Sequence, residues 1–484
     1  MKKVILTILL MLVAMTVTAQ SNPFTGKTIA VIGDSYVRNH RRPVQETWHA
    51  RVAERLGMNY RNYGINGNSI AFDRTREGFG KSILERYQEM TDSADFVLVI
   101  AGHNDAYMVM HNSDSLTLFR QRLDSLCTGL RSKYPQAAIG FVTPWAVELP
   151  GFTEVTQTIR EVCAKHEFSV LDAARTSGIL PMDTTFRKKY FQALNDRAHL
   201  NVEGHALLLD WGEKFLRSME KQQNLREYVA KTTEEVWIDN GNRHIYGLLN
   251  HPDDIGRKRP LAIIAHGFNG THHFGCNYFK PLNELGYQCY TFDFPCGSVN
   301  SRSDNNTLNM SILDEQSDLE AIVRYFKSRQ DVDTTNIVLI GESQGGLVSA
   351  LAASNMPKDI SRLILAFPAL CIPDNWNKRY PKAEAIPDTT LVWGVPMGRR
   401  FFEEVRSLQP FDEIFRYTNP VLIVQGDQDK IVPIADSRRA AENYKDASLH
   451  VIKGAGHGFK EKELEDSFDA IKKFLSRSIL DESR

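Results

Sequence analysis

The chain is expected to fold as two α/β units in series, a three-layer α/β/α unit followed by a larger α/β unit that carries an insertion. Two serine-bearing turns lead to that expectation. Gly33-Asp34-Ser35 follows the aliphatic run Thr28–Ile32, and Gly341-Glu342-Ser343-Gln344-Gly345 follows Asn336–Ile340. The third observation is the helical spacing between aliphatic runs in both halves, with a change of pattern near residue 230. An unbroken aliphatic run bounded by glycine reads as a strand buried on both faces, and helices between such strands give parallel sheets.

At 484 residues, 42% hydrophobic and 24% charged, the composition is that of an ordinary globular protein of two or three domains. A formal net charge of −1 leaves no electrostatic footprint for nucleic acid or an anionic membrane. Met1–Ala19 reads as a cleaved signal peptide: Lys2 and Lys3 precede the apolar run Val4–Val17, and Val17-Thr18-Ala19 offers a small-residue cleavage site before Gln20. The protein is therefore expected to be exported, periplasmic or secreted, without a membrane span. Its six cysteines show no metal spacing, and in cores of this size they are expected to be buried free thiols.

In the first half, Trp48–Leu56, Leu116–Leu130 and Val155–Cys163 carry helical spacing, while Phe96–Ala101 and Ala138–Val142 read as buried strands. Four polar blocks fall between these elements: Gly33-Asp34-Ser35, Asn62–Asn68, Gly102-His103-Asn104-Asp105 and Asp196-Arg197-Ala198-His199. A serine at a strand's carboxyl end lies where open α/β sheets place their sites. His199 can take its proton, and Asp196, three residues earlier, can hold the imidazole tautomer. The backbone N–H groups of Ser35 and Gly67 and the side-chain amide of Asn104 supply donors for an oxyanion; losing one such donor typically costs ~3 kcal/mol of barrier. Trp145 is read as a packed core tryptophan.

Taken in order, these four blocks resemble the SGNH (GDSL-like) hydrolases over about residues 28–204. The resemblance implies a flavodoxin-like three-layer fold, with the nucleophile on Ser35, oxyanion donors on Gly67 and Asn104, and the Asp-x-x-His pair on Asp196 and His199. Leu200 stands where a proline is common in that family, which bears on the loop's shape. The family deacylates small esters, acetylated sugars among them, and also lipids.

An amphipathic stretch from Gly204 to Met219 closes the first unit, placed at residues 22–222, and the polar segment 223–233 is expected to be a linker. From residue 234, two alternating apolar runs flank Asp239-Asn240-Gly241-Asn242, a strong hairpin signal.

In the second unit, residues 234–484, the strand Leu261–Ala265 runs into His266-Gly267-Phe268-Asn269-Gly270. The G-x-S-x-G around Ser343 stands between a strand and an Ala/Leu-rich helix, the context that distinguishes a nucleophile turn from an ordinary one. Phe268 and Gln344 would donate backbone N–H groups to an oxyanion, and His457, on Gly454–Phe459, would reach Ser343. Of two candidate carboxylates, Asp429 is preferred as the histidine's partner, and Asp427 is read as a loop stabiliser. His266 is read as structural, and His272 and His273 as a solvated loop rather than a metal pair. Residues 367–419 form an inserted lid rich in aromatic residues, suited to stacking on an aromatic acyl group.

These motifs, HGFNG, GESQGG, GDQDKIVP and GAGHGF, resemble the α/β-hydrolase superfamily and, within it, the bacterial feruloyl (cinnamoyl) esterases. The resemblance implies a Ser343–His457–Asp429 triad and a lid aspartate, Asp374, that contacts the ring hydroxyl of the acyl group. The combined expectation is a bifunctional carbohydrate esterase. Its first unit would remove acetyl and its second feruloyl groups from an acylated plant polysaccharide or oligosaccharide such as xylan. No cofactor or metal is implied. A lipid-type esterase/lipase pair, or a serine peptidase-like second unit, is the alternative.

Overall fold

The computed structural model describes residues 22–252 and 258–476. The expected signal peptide lies outside the described residues. The chain divides into two compact units, Met1–Asn224 and Leu225–Arg484. Segment 223–233, expected as a linker, is instead the end of the helix Leu209–Thr232 and the first residue of the next strand. Its polar sequence still carries Tyr228 and Val229, which pack against a core of the second unit.

The first unit is built on a five-stranded sheet of β1 (Thr28–Gly33), β2 (Asn59–Gly64), β3 (Phe96–Ile100), β4 (Ala138–Val142) and β5 (Ser169–Leu171), in the order β2-β1-β3-β4-β5. All neighbours are parallel. Side chains alternate between two cores, as a pleated strand requires. Ala30, Ile32, Val97 and Val99 pack beneath the helices Ser113–Lys133 and Phe152–Lys165, whereas Ile29, Val31, Phe96 and Leu98 face Trp48, Val52 and Leu216. Register matters for the site. Gly33 pairs with Gly64 on one side and Ile100 on the other, so three of the four polar blocks leave the sheet side by side.

The second unit holds an eight-stranded sheet, in the order β15-β14-β11-β10-β8-β9-β7-β6. Its strands are β6 (Thr233–Asn240), β7 (Arg243–Asn250), β8 (Arg259–Ala265), β9 (Gln288–Phe292), β10 (Val332–Glu342), β11 (Arg362–Ala366), β14 (Val421–Gly426) and β15 (Ala447–Ile452). β6 and β7 form the antiparallel hairpin expected from the Asn-Gly signal, closed by Gly241 at φ 66°. From β9 to β15 the sheet is parallel. The helix Gln344–Asn355 is apolar on all sides and buried throughout except at Asn355. Between β11 and β14 the chain makes the helix Ile372–Arg379, a small hairpin of β12 (Thr389–Val392) and β13 (Val395–Gly398), and the helix Arg399–Val405.

His272 is not solvated. It is buried, and its Nδ1 and backbone N–H both lie within hydrogen-bond distance of Asp293 Oδ1, at 2.8 and 2.6 Å. A histidine beside a buried carboxylate gains more from pairing than from exposure, which the sequence did not show because Asp293 lies on the next strand's end. Five of the six cysteines are buried and Cys296 is half-buried; all six are free thiols. Among the described residues, no helix is long and apolar enough to cross a membrane, and no cluster of three or more metal-ligating side chains occurs.

Candidate active sites

In the second unit, strand pairing assembles the site. Gly341 pairs with Ala265 and Glu342 with Ala366, which sets the Ser343 turn against the Gly267–Phe268 loop. The turn tolerates no bulk. A Cβ on Gly341 would lie 2.3 Å from the Gly345 carbonyl oxygen, and one on Gly345 would lie 2.4 Å from that of His266. Ser343 itself is forced to φ 50° and ψ −117°, a conformation that costs of order 1–3 kcal/mol in a non-glycine residue. That strain holds Oγ clear of the sheet at the start of the following helix.

His457 Nε2 lies 3.1 Å from Ser343 Oγ, and its Nδ1 lies 2.8 Å from Asp429 Oδ2. The Asp429 side chain is fully buried and also accepts from Gln425 Nε2 and from the backbone N–H groups of Ile431 and Val432. Asp427 does not reach the histidine; its Oδ1 accepts from the Gly454 N–H at 2.7 Å. His266 donates from Nδ1 to the Gly267 carbonyl and accepts from the Phe294 N–H at Nε2, which fixes one neutral tautomer beneath the loop. The N–H groups of Phe268 and Gln344 take no backbone acceptor in the surrounding loops, leaving them available to a developing oxyanion.

Two supports of this site carry no sequence signal. Glu315, on the helix Ile312–Ser328, accepts from the Gln344 side-chain amide with both carboxylate oxygens at 2.9 Å. Glu342 accepts from the Tyr278 hydroxyl at 2.5 Å. Burial pushes both carboxyl groups up to about 8.

A cavity of about 670 Å³ opens on Ser343. Phe268, Ile372, Trp376, Val392, Met397 and Phe401 supply most of its apolar wall, with Trp393 at the turn of the β12–β13 hairpin. Asp374, expected to contact the acyl ring, is exposed and does not line the cavity; its neighbours Asn375 and Trp376 do. The α-helical turn rotates successive side chains by about 100°, so a one-residue difference decides which residue faces inward.

In the first unit, Ser35 opens a short helix, Ser35–Arg38, directly after β1. Asp34 behind it is buried and accepts from the Tyr36 N–H, and burial pushes its carboxyl up to about 8. Asp196 Oδ2 lies 2.9 Å from His199 Nδ1, while Oδ1 accepts from the N–H groups of Ala198 and His199. Burial raises the Asp196 carboxyl, but the hydrogen bond and charge of His199 outweigh it and leave it below its ordinary value. His199 Nε2 is buried without a hydrogen-bond partner, so the bond to Ser35 is not formed in this resting arrangement. Such bonds often tighten only when substrate is bound.

Asn104 Nδ2 donates to the Asn68 carbonyl at 2.8 Å and to Asp34 Oδ2 at 3.4 Å. Gly67 sits at φ 72°, and a Cβ there would enter the Phe79 ring. Arg86, outside all four blocks, ties two of them together. It is buried and donates to Asn68 Oδ1, the Tyr63 carbonyl and the Gly33 carbonyl at 3.0, 2.8 and 3.1 Å.

Residues 31–207 match the model of the GDSL-like Lipase/Acylhydrolase family, and residues 304–482 that of the Prolyl oligopeptidase family. The chain joins a GDSL-like acylhydrolase unit to an α/β-hydrolase unit. Among curated relatives, the chain is similar to an alpha/beta hydrolase domain-containing protein, WAV2, of Arabidopsis thaliana. The two are 32% identical over 122 residues, 24% of this chain and 37% of that protein. A putative esterase/lipase 2 of Mycoplasma genitalium is 24% identical over 112 residues, 23% of this chain and 39% of that protein. The chain thus spans well under half the length of these curated relatives. Among solved structures, Est1E from Butyrivibrio proteoclasticus with ferulic acid bound is 30% identical. It aligns over 50% of this chain and 97% of its own, with a TM-score of 0.46.

Proposed function

We propose that the two units are two serine esterases acting on one acylated carbohydrate, with the Ser35 site removing acetyl groups and the Ser343 site removing hydroxycinnamoyl groups such as ferulate. The observation that supports this most directly is the cavity over Ser343. Its volume of about 670 Å³ falls in the range of small-molecule sites, and its aromatic and aliphatic wall suits a flat aromatic acyl group. In each site serine attacks the ester carbonyl while histidine, oriented by aspartate, takes the hydroxyl proton. The oxyanion is met by the N–H groups of Phe268 and Gln344 in one unit, and by Ser35, Gly67 and Asn104 in the other. Histidine returns the proton to the leaving alcohol, and water then releases the acid from the acyl-enzyme by the reverse proton path. Export through a leader ending at Ala19 would place both activities with an extracellular or periplasmic plant polysaccharide, with xylan the polymer of choice.

Ser35→Ala and Ser343→Ala variants, incubated with acetylated and feruloylated arabinoxylan, test the assignment. The expected result is acetate lost only in the first variant and ferulate lost only in the second. No ferulate from any form would remove the second assignment. The match of residues 304–482 to the Prolyl oligopeptidase family favours one other reading, a peptidase in the second unit. Cleavage of prolyl amides in preference to hydroxycinnamoyl esters, abolished by Ser343→Ala, would establish that reading instead.

A further inference from the structure

The cavity over Ser343 is not evenly apolar. Ile372, Val392, Met397 and Phe401 line it from buried positions, whereas Arg379 and Lys430 line it from exposed ones, and no aspartate or glutamate does. Neither cation has a carboxylate partner among the described residues. Arg379 lies against the rings of Trp376 and Tyr380, 5.4 and 5.7 Å from their centroids, and Lys430 makes no ion pair.

Other arginines of the same insertion are occupied: Arg399 pairs with Glu403, Arg400 pairs with Asp314, and Arg406 donates to the carbonyls of Tyr380 and Pro381. Of the acidic groups near them in sequence, Asp374 and Glu384 are exposed and do not line the cavity, and the Asp429 carboxylate is taken by His457 and its loop. Asp436 is half-buried beside Asp374, behind the lining residue Cys371, and does not itself line the cavity. Unpaired positive charge is therefore concentrated at the mouth of the catalytic cavity. Two cations without an ion-pair partner beside a low-dielectric wall attract and orient an anion.

We propose that Arg379 and Lys430 form a subsite for a carboxylate carried by the ester, so that the second site selects acidic esters over neutral ones. This rests on the reading of Ser343 as an ester-cleaving nucleophile. A uronic acid in the leaving alcohol and a second carboxyl on the acyl group present the same chemistry to the subsite.

The test uses the full chain carrying Ser35→Ala and two acyl series. Methyl ferulate is compared with carboxymethyl ferulate, whose acid is in the alcohol, and with methyl 4-carboxycinnamate, whose acid is in the acyl group; methyl and carboxymethyl butanoate form the second series. Arg379→Gln and Lys430→Gln are each expected to raise KM for an acidic ester about three- to fivefold, and the double variant about tenfold, as expected for exposed charge pairs. Neutral esters should change less than twofold. Which acidic cinnamoyl ester responds identifies the side of the scissile bond that the subsite reads. Equal effects on neutral and acidic esters, or none on either, would overturn the subsite. A charge preference confined to butanoates, with no cinnamoyl turnover, would support the subsite while removing the hydroxycinnamoyl reading. Turnover of methyl ferulate without charge preference would do the reverse. Failure to cleave any of the esters would overturn both.

Discussion

The imidazoles of His40 and His199 are stacked, with ring centroids 4.2 Å apart and planes 13° from parallel. His40 is held at φ 48°, and its carbonyl accepts from Asn66 Nδ2. Burial first, then the charges of His199 and Arg41, push the His40 imidazole below its ordinary value, with Asp196 opposing. A neutral ring on one face of His199 fixes the plane of the base and meets the imidazolium that forms during attack with its π-system.

His40→Ala is therefore expected to lower kcat/KM of the Ser35 site by up to about tenfold, the loss of one aromatic pair. His40→Phe, which keeps a stacked ring without a titratable nitrogen, should stay within about threefold of the parent. Acetyl ester hydrolysis in a Ser343→Ala background reads both. Equal losses in the two variants would show that stacking is not what His40 contributes.

Gly67→Ala should disable the Ser35 site alone. The new methyl would lie 2.1 Å from a Phe79 ring carbon, at a backbone φ of 72° that an L side chain rarely adopts. The loop must shift and carry its N–H away from the oxyanion, a loss of about 100-fold in kcat by analogy with removing one such donor. Acetate and ferulate release, measured together, separate this from general unfolding, because ferulate release should be unchanged.

Glu315 should act on the other site through Gln344. Glu315→Ala leaves the Gln344 side-chain amide buried without its carboxyl acceptor, at a cost of about 1–3 kcal/mol, and frees the residue whose N–H is proposed to meet the oxyanion. A fall in kcat of about tenfold or more, with KM little changed, is expected. Glu315→Gln retains an acceptor oxygen and should recover most of the rate.

Acid should weaken the first unit through His49 and His205. Burial pushes His49 down to about 4; burial first, and then His49 and nearby arginines, push His205 down to about 3. Below an unfolded value of about 6.5 the unfolded chain binds protons that the native state refuses, so their contribution is complete above that pH and is lost as pH falls toward the native values. Asp34, kept protonated up to about 8 by burial, has the opposite slope over part of the same window. The comparison of His49→Gln with the parent isolates the histidine. Urea unfolding monitored by hydrogen exchange in the helix Trp48–Arg55 should show a stability slope between pH 6.5 and 4.5 that is shallower in the variant by up to about 1.4 kcal/mol per pH unit. An identical slope in both proteins would exclude a buried neutral His49.

Strand positions and both serine turns were legible in the sequence because their causes are local. Unbroken aliphatic runs mark parallel strands. The Ser343 turn needs glycine at 341 and 345 because backbone oxygens stand where a Cβ would go, and sequence records that requirement directly. The Asn240–Arg243 hairpin was legible for the same reason, since Gly241 must take positive φ. What depended on how elements come together was not legible. His272 was read as solvated because its partner Asp293 is distant in sequence. Asp374 was read into the cavity because helix phase is set by how Ile372 and Pro373 are buried beneath it. Arg86, Glu315 and His40 lie outside any motif, and they act through contacts made only when strands and helices pack. The sequence by itself determined the two α/β units, their nucleophile turns and the residue types available for catalysis, because backbone conformation and hydrophobic period are local properties. Only the tertiary structure decided that Asp374 stays off the cavity, and that Arg379 and Lys430 line it where no carboxylate does. Distance between side chains and exclusion of water are properties of the packed chain.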